Sequence, residues 1–238
     1  PDAEADLRLE DGQARGYEGL QAELKARYVK DRATGTLAAS LPVARLAAEF
    51  DVPVQGMLKR RRDAMSVHVN LEDLDVAGAM KLAGQPESAS GRLSGTLRVE
   101  GPAREPLLDF TLRGQDVRYQ TPPPGFSLPE PLAFQLRAAS DREDQTLDAR
   151  LDVEGLGPET YVAVRTPFTV GGLMAKPPTP DELFAATLGV EARVTQLPLD
   201  LLKGMSGVQQ PGGTVTAQLD FEGSVLVPQA RCACRPTR

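Results

Sequence analysis

The chain has 238 residues, 41% of them hydrophobic and 25% charged, with a formal net charge of −6. That length suffices for one large β domain or two smaller ones. Both signs of charge are interspersed and no basic stripe is interleaved with aromatics, which argues against nucleic acid as a partner, and no run of 18 or more apolar residues exists to span a membrane as a helix.

The 22 Gly and 20 Pro, about 18% of the chain against roughly 12% in average usage, are spread throughout and read as many turns. The opening PDAEADLRLEDG has no charged n-region followed by an apolar stretch, so no signal peptide is expected in it. Any anchor of a longer parent is expected elsewhere.

Apolar residues recur with period two, the mark of strands with one buried and one solvated face. Leu24, Ala26 and Tyr28 predict the first strand, KDRATG at 30–35 a reversal, and Leu37, Ala39 and Leu41 the second strand. VARLAAEF at 43–50 follows Pro42 and is expected to be a short helix. Val52, Val54 and Leu58 return to strand, and KRRRDA at 59–64 turns the chain into Val67, Val69 and Leu71. Next come Leu93, Leu97 and Val99, then Leu108, Phe110 and Leu112. TPPPGFSLPEP from Thr121 is read as a rigid connection, leading to Leu132, Phe134, Leu136 and Ala138, the turn SDREDQ at 140–145, and Leu147, Ala149, Leu151 and Val153. KPPTPDE from Lys176 is a second rigid connection; helical pieces are expected at 181–187 and 199–205, on either side of Val190, Ala192 and Val194. Val215, Ala217, Leu219 and Phe221 complete the series, and RCACRPTR reads as a frayed polar tail with incidental thiols.

Reversals this short join antiparallel neighbours, because a parallel crossover needs about a dozen residues. The expected architecture is all-β: an elongated, curved antiparallel sheet with a few short helices and a repeat character. It divides into segments 1–121 and 122–230 of one array, with a polar tail at 231–238. Only 5% of residues are aromatic, which argues against a transmembrane barrel with its aromatic girdles.

A repeat underlies the series: strand, Leu plus an apolar residue, helical piece, loop, strand. Its copies begin at Thr34, Ser66 and Gly189, with Leu41, Leu74 and Leu197 in matching places. In the last two copies Gly91 to Gly101 and Gly213 to Gly223 both span ten residues, with Pro106 and Pro228 each five residues further. The phrase GRLSGTLRVEGPAREP, and the Leu-Pro-Leu-x-x-Leu element at 197–202, resemble the strand repeats of the TamB and AsmA-like families. The resemblance is best over 66–120 and 188–230; Ala217 stands where Gly95 would be expected, and the tail after Pro228 does not share it. What the resemblance implies is a sheet folded lengthwise into an apolar trough, in a periplasmic protein attached to the inner membrane through a segment outside this chain. It further implies traffic of phospholipid or assembly of outer-membrane proteins, the latter with an outer-membrane barrel of the Omp85 type as partner.

Residues for catalysis are scarce. His68, the single imidazole, sits between Val67 and Val69 on the face opposite the apolar set and reads as a solvated strand position. Cys232 and Cys234 lack the further ligands that a zinc site needs. Asp141, Glu143 and Asp144 fall in a turn, no GxxxxGK[ST] loop is present, and the run at 59–62 reads as a soluble hairpin tip. A non-enzyme is expected, with no catalytic, cofactor or metal residues.

The candidate site is therefore a surface: Val67, Val69, Leu71, Leu93, Leu97, Val99, Phe110, Leu112, Phe134, Leu136, Leu151, Val153, Val190, Val194, Val215, Leu219 and Phe221, expected to line a groove for phospholipid acyl chains. The alternatives are a chaperone-like module that templates a client strand on its edge, and a structural or adhesive β-solenoid with a closed core.

Overall fold

A computed structural model of the chain describes residues 2–14, 16–54, 63–119, 131–199, 213–224 and 227–237. Thirteen strands pair in chain order into one antiparallel sheet. They are β1 (Ala3–Ala14), β2 (Tyr17–Val29), β3 (Arg32–Leu41), β4 (Ala44–Pro53), β5 (Ala64–Asp75), β6 (Ala89–Pro102), β7 (Leu107–Tyr119), β8 (Leu132–Ser140), β9 (Thr146–Glu154), β10 (Thr160–Thr169), β11 (Leu188–Pro198), β12 (Thr214–Ser224) and β13 (Val227–Thr237). Three short helices interrupt them: α1 (Val76–Ala83), α2 (Val170–Ala175) and α3 (Pro180–Ala185). The outermost strands β1 and β13 do not pair, so the sheet is open, and at the usual strand spacing it extends about 58 Å across its thirteen strands. The all-β meander read from the sequence is the observed fold.

Turn chemistry explains the meander locally. Lys30 and Asp31 sit at φ 49° and 66° between the paired Val29 and Arg32, a two-residue hairpin turn whose twist suits the flanking strands. At the β8 to β9 reversal, Asp141 Oδ1 accepts hydrogen bonds from the backbone N–H of Glu143 at 2.7 Å and of Asp144 at 3.4 Å. The expected helix at 181–187 is α3, started by Pro180 and a capping box in which Thr179 and Glu182 exchange hydrogen bonds. The expected helical residues 200–205, Leu58, the basic run at 59–62 and the proline-rich stretch through residue 130, with the 121/122 segment boundary in it, lie outside the described residues.

Several expectations are corrected. Residues 44–50 are part of β4, not a helix: Ala44, Leu46, Ala48 and Phe50 also alternate with period two, and pairing with β3 throughout and with β5 from Arg45 onward outweighs the helix propensity of Ala and Leu. The tail is no frayed end, since β13 runs through both cysteines and pairs with β12 from Ser224 to Thr214. Strands β1 and β10 and the helix α2 are additional elements.

Among the described residues the second and third repeat copies share their strand pairing and bulge, whereas in the first β3 and β4 join by a tight turn without a helix. Asp73 and Gln196 have φ of 51° and 54° at a bulge, each just before the matched Leu74 and Leu197. Their backbone N–H groups donate to Ser94 Oγ at 3.1 Å and Thr216 Oγ1 at 3.2 Å. An earlier pair matches too: Asp11 and Asp116, both at φ 52°, mark bulges in β1 and β7, opposite Leu20 and Leu132, each 8% exposed. The period is thus six strands, with β1, β5 and β6 answered by β7, β11 and β12.

Buried side chains gather at the two ends of the strands. At one end are Leu20, Val43, Ala44, Val117 and Leu132; there α1 lies so close to the β3 to β4 turn that a Cβ on Gly78 would come within 2.6 Å of Val43 Cγ1. At the other end are Pro53, Met65, Ala103, Pro106 and Val170, where Gly171 of α2 rests against the Arg104 carbonyl. The broad middle of the sheet carries no second layer among the described residues.

Candidate functional site

Residues directly opposite one another in paired strands share a face, so the register identifies rows that cross the sheet. One row begins Leu7, Leu24, Leu37, Ala48, Val69, Leu97 and Phe110. It continues through Ala138, Ala149, Val164, Val190, Phe221 and Ala230. A second begins Leu9, Ala22, Ala39, Leu46, Leu71, Gly95 and Leu112, and continues through Leu136, Leu151, Val162, Ala192, Leu219 and Cys232. Neither row contains a charged residue or a hydroxyl in any of its thirteen places.

Partial rows flank them on the same face. Phe50, Val67, Val99 and Leu108 lie on one side; Leu74, Leu93, Gly114, Phe134 and Val153, together with Val194, Val215 and Leu197, lie on the other. All seventeen residues predicted to line the surface therefore share one face. Sixteen are half-buried and Leu219 is 38% exposed, so none has the burial of a core side chain. Sequence reading missed Leu7 and Leu9 of β1, Leu46 and Phe50 of β4, Val162 and Val164 of β10, and Cys232. The signal was present as period-two alternation in each strand.

The opposite face is ionic. Glu23 accepts from Arg8 and Lys25, both at 2.8 Å, Arg32 meets Asp51 at 2.7 Å, and Arg150 meets Asp152 at 2.9 Å. Arg150 also lies over the Tyr161 ring, 3.8 Å from its centroid, while the Tyr161 hydroxyl donates to Glu191 at 2.6 Å. His68 is on this polar face as expected, its Nε2 2.6 Å from Glu100 Oε1 and 3.4 Å from the Ser66 hydroxyl. The Sγ atoms of Cys232 and Cys234 stand 3.7 Å apart on the apolar face, both exposed. Among the described residues, no group of three or more His, Cys, Asp or Glu side chains could hold a metal.

Two carboxylates have a measurable signature. Lys25, and then Arg8, hold the Glu23 carboxyl at about 2; Lys176, and then Thr179, hold that of Glu182 at about 2. Folded values below the ordinary carboxylate range mean that their contribution is present at neutral pH and drains away as pH falls toward 2. In a carboxyl NMR titration, Lys176→Met should move the Glu182 midpoint up toward 4.5 and leave Glu23 unchanged.

The rows, each about 58 Å long and alternate residues apart, define an apolar area on the order of 1,000 Å². The largest apolar patch of a typical soluble monomer is about 300–600 Å². No family model matches the chain, and neither the curated proteins nor the solved structures compared with it give a match.

Proposed function

We propose that this chain is a segment of a bridge-like periplasmic protein, attached to the inner membrane outside the segment, whose apolar face carries phospholipid acyl chains between membranes. The observation that supports this reading is the pair of uninterrupted apolar rows across all thirteen strands, with no second layer over them among the described residues. Each methylene laid on such a surface gains about 0.8 kcal/mol when fully buried. Because the rungs repeat at strand spacing with similar aliphatic character, an acyl chain meets no deep well along the row and can slide. No covalent chemistry is required, and the ionic opposite face keeps the strand ladder wetted and soluble.

The test is native mass spectrometry with lipid extraction on the purified chain. Phospholipid should co-purify and fall by at least about tenfold in the Leu97→Glu, Phe110→Glu double variant, since each carboxylate would have to be desolvated beneath the acyl chain. Circular dichroism should show the sheet retained. A lipid-free monomer, a lipid-free dimer with the face buried between copies, or equal lipid in the variant would overturn the reading.

A further inference from the structure

The free edge of β1 invites a second inference, independent of lipid. Among the described residues β1 has no neighbour beyond it, and Leu7 and Leu9 are 61% and 50% exposed. Its internal counterpart β7 does have a neighbour on that side, the strand β6. The shared bulge aligns the two strands residue by residue: Leu9 corresponds to Gly114, Leu7 to Leu112 and Glu4 to Asp109.

Transferring the β6 to β7 register onto β1 gives a consistent match. Leu7 takes the place of Leu112, which packs on Gly95; a Cβ on that glycine would meet Leu112 Cδ1 at 3.2 Å, so the space opposite Leu7 calls for a small residue. Leu9 would face Leu93 and Ala5 would face Leu97. On the ionic side, Glu10 would face Arg92, and Glu4 would face Arg98 as Asp109 does in the sheet. Asp6 and Arg8 would face the neutral Thr96 and Ser94. The repulsive pair is at the end, Asp2 opposite Glu100. The other strand of this class, β12, carries Asp220 where β6 has Arg98, and would set that carboxylate against Glu4.

We infer that the β1 edge is a docking site for an incoming antiparallel strand of stated chemistry: alternating aliphatic residues, a glycine opposite Leu7, and cations opposite Glu4 and Glu10. Backbone hydrogen bonds supply affinity in such strand addition, and the side-chain pattern supplies register.

A fluorescent peptide of residues 88–99, which stops short of Glu100, tests this on the full chain by anisotropy. It should bind saturably; a peptide of residues 214–224 should bind at least tenfold more weakly. Glu4→Lys with Glu10→Lys should weaken the 88–99 peptide by at least tenfold, and a peptide carrying Arg92→Glu and Arg98→Glu should recover that loss. In a Cys232→Ser, Cys234→Ser background, Leu7→Cys should form a disulfide with a Gly95→Cys peptide and not with a Thr96→Cys peptide. Absent binding, indifference to the charge swap, or cross-linking in the wrong register would each overturn the inference, and none of these outcomes bears on lipid carriage.

Discussion

Proline at Thr96 should cleave the sheet into two poorly coupled halves. Thr96 lies in the middle of β6, paired with Asn70 of β5 on one side and Thr111 of β7 on the other. Every backbone N–H in such a strand points at a neighbour, so the substitution orphans a ladder acceptor and forces the ring into the pairing plane. The expected loss is about 3 kcal/mol, one unmade buried hydrogen bond plus steric displacement. Leu97→Pro, with its N–H directed to the other neighbour, should cost as much. In β1, by contrast, alternate N–H groups face an open edge, so one of Asp6→Pro and Leu7→Pro should be tolerated. Urea denaturation of the four variants decides this; four equal losses would mean that β1 is not an edge in solution.

The next largest effect is expected at Gly114, which is buried directly under the ring of its cross-strand partner Phe134, with ring atoms 2.7 Å from where a Cβ would stand. Gly35 and Phe50 repeat the arrangement in β3 and β4, an aromatic side chain folded over a glycine in the adjacent strand. Gly114→Val must displace Phe134 from the apolar face and should destabilise the sheet by about 2–3 kcal/mol. Gly189→Val is the control: its nearest neighbour, Arg165 Cβ, is 3.6 Å away, and a β-branched residue suits a strand. Its midpoint should stay within the range of ordinary surface substitutions. Equal destabilisation by both would assign the effect to lost backbone freedom and not to the ring.

Strand identity, although missed in β1 where Ala3, Ala5, Leu7 and Leu9 also alternate, was legible from alternation in β5 to β9, β11 and β12. It failed at 43–50 because Val43, Leu46, Ala47 and Phe50 satisfy a helical period as well as Leu46, Ala48 and Phe50 satisfy a strand one, and only the partner strands decide between them. It failed at β10 because Pro167 suggests a break; in the structure that proline lies past Arg165, the last residue paired with β11. The bulges were invisible from periodicity, since an Asp or Gln with positive φ leaves no mark on the apolar pattern. The apolar face of the candidate site could be named because burial follows period two. Its continuity across thirteen strands could not, because that depends on how each strand slides against the next, and a shift of one residue anywhere would have broken both rows.

The four bulges in β1, β5, β7 and β11 all fall at the same end of the strands, the end that holds α1. Four insertions thus lengthen one margin of the sheet, against a single irregular stretch among the described residues at the opposite margin, between Arg165 and Thr169 of β10. A ribbon lengthened along one hem cannot run straight; it must arc away from the longer side and acquire extra twist at every insertion. Since the insertions recur with the six-strand period, every such unit adds the same increment, and the path of a longer array is set by a handful of aspartate and glutamine residues at its margin.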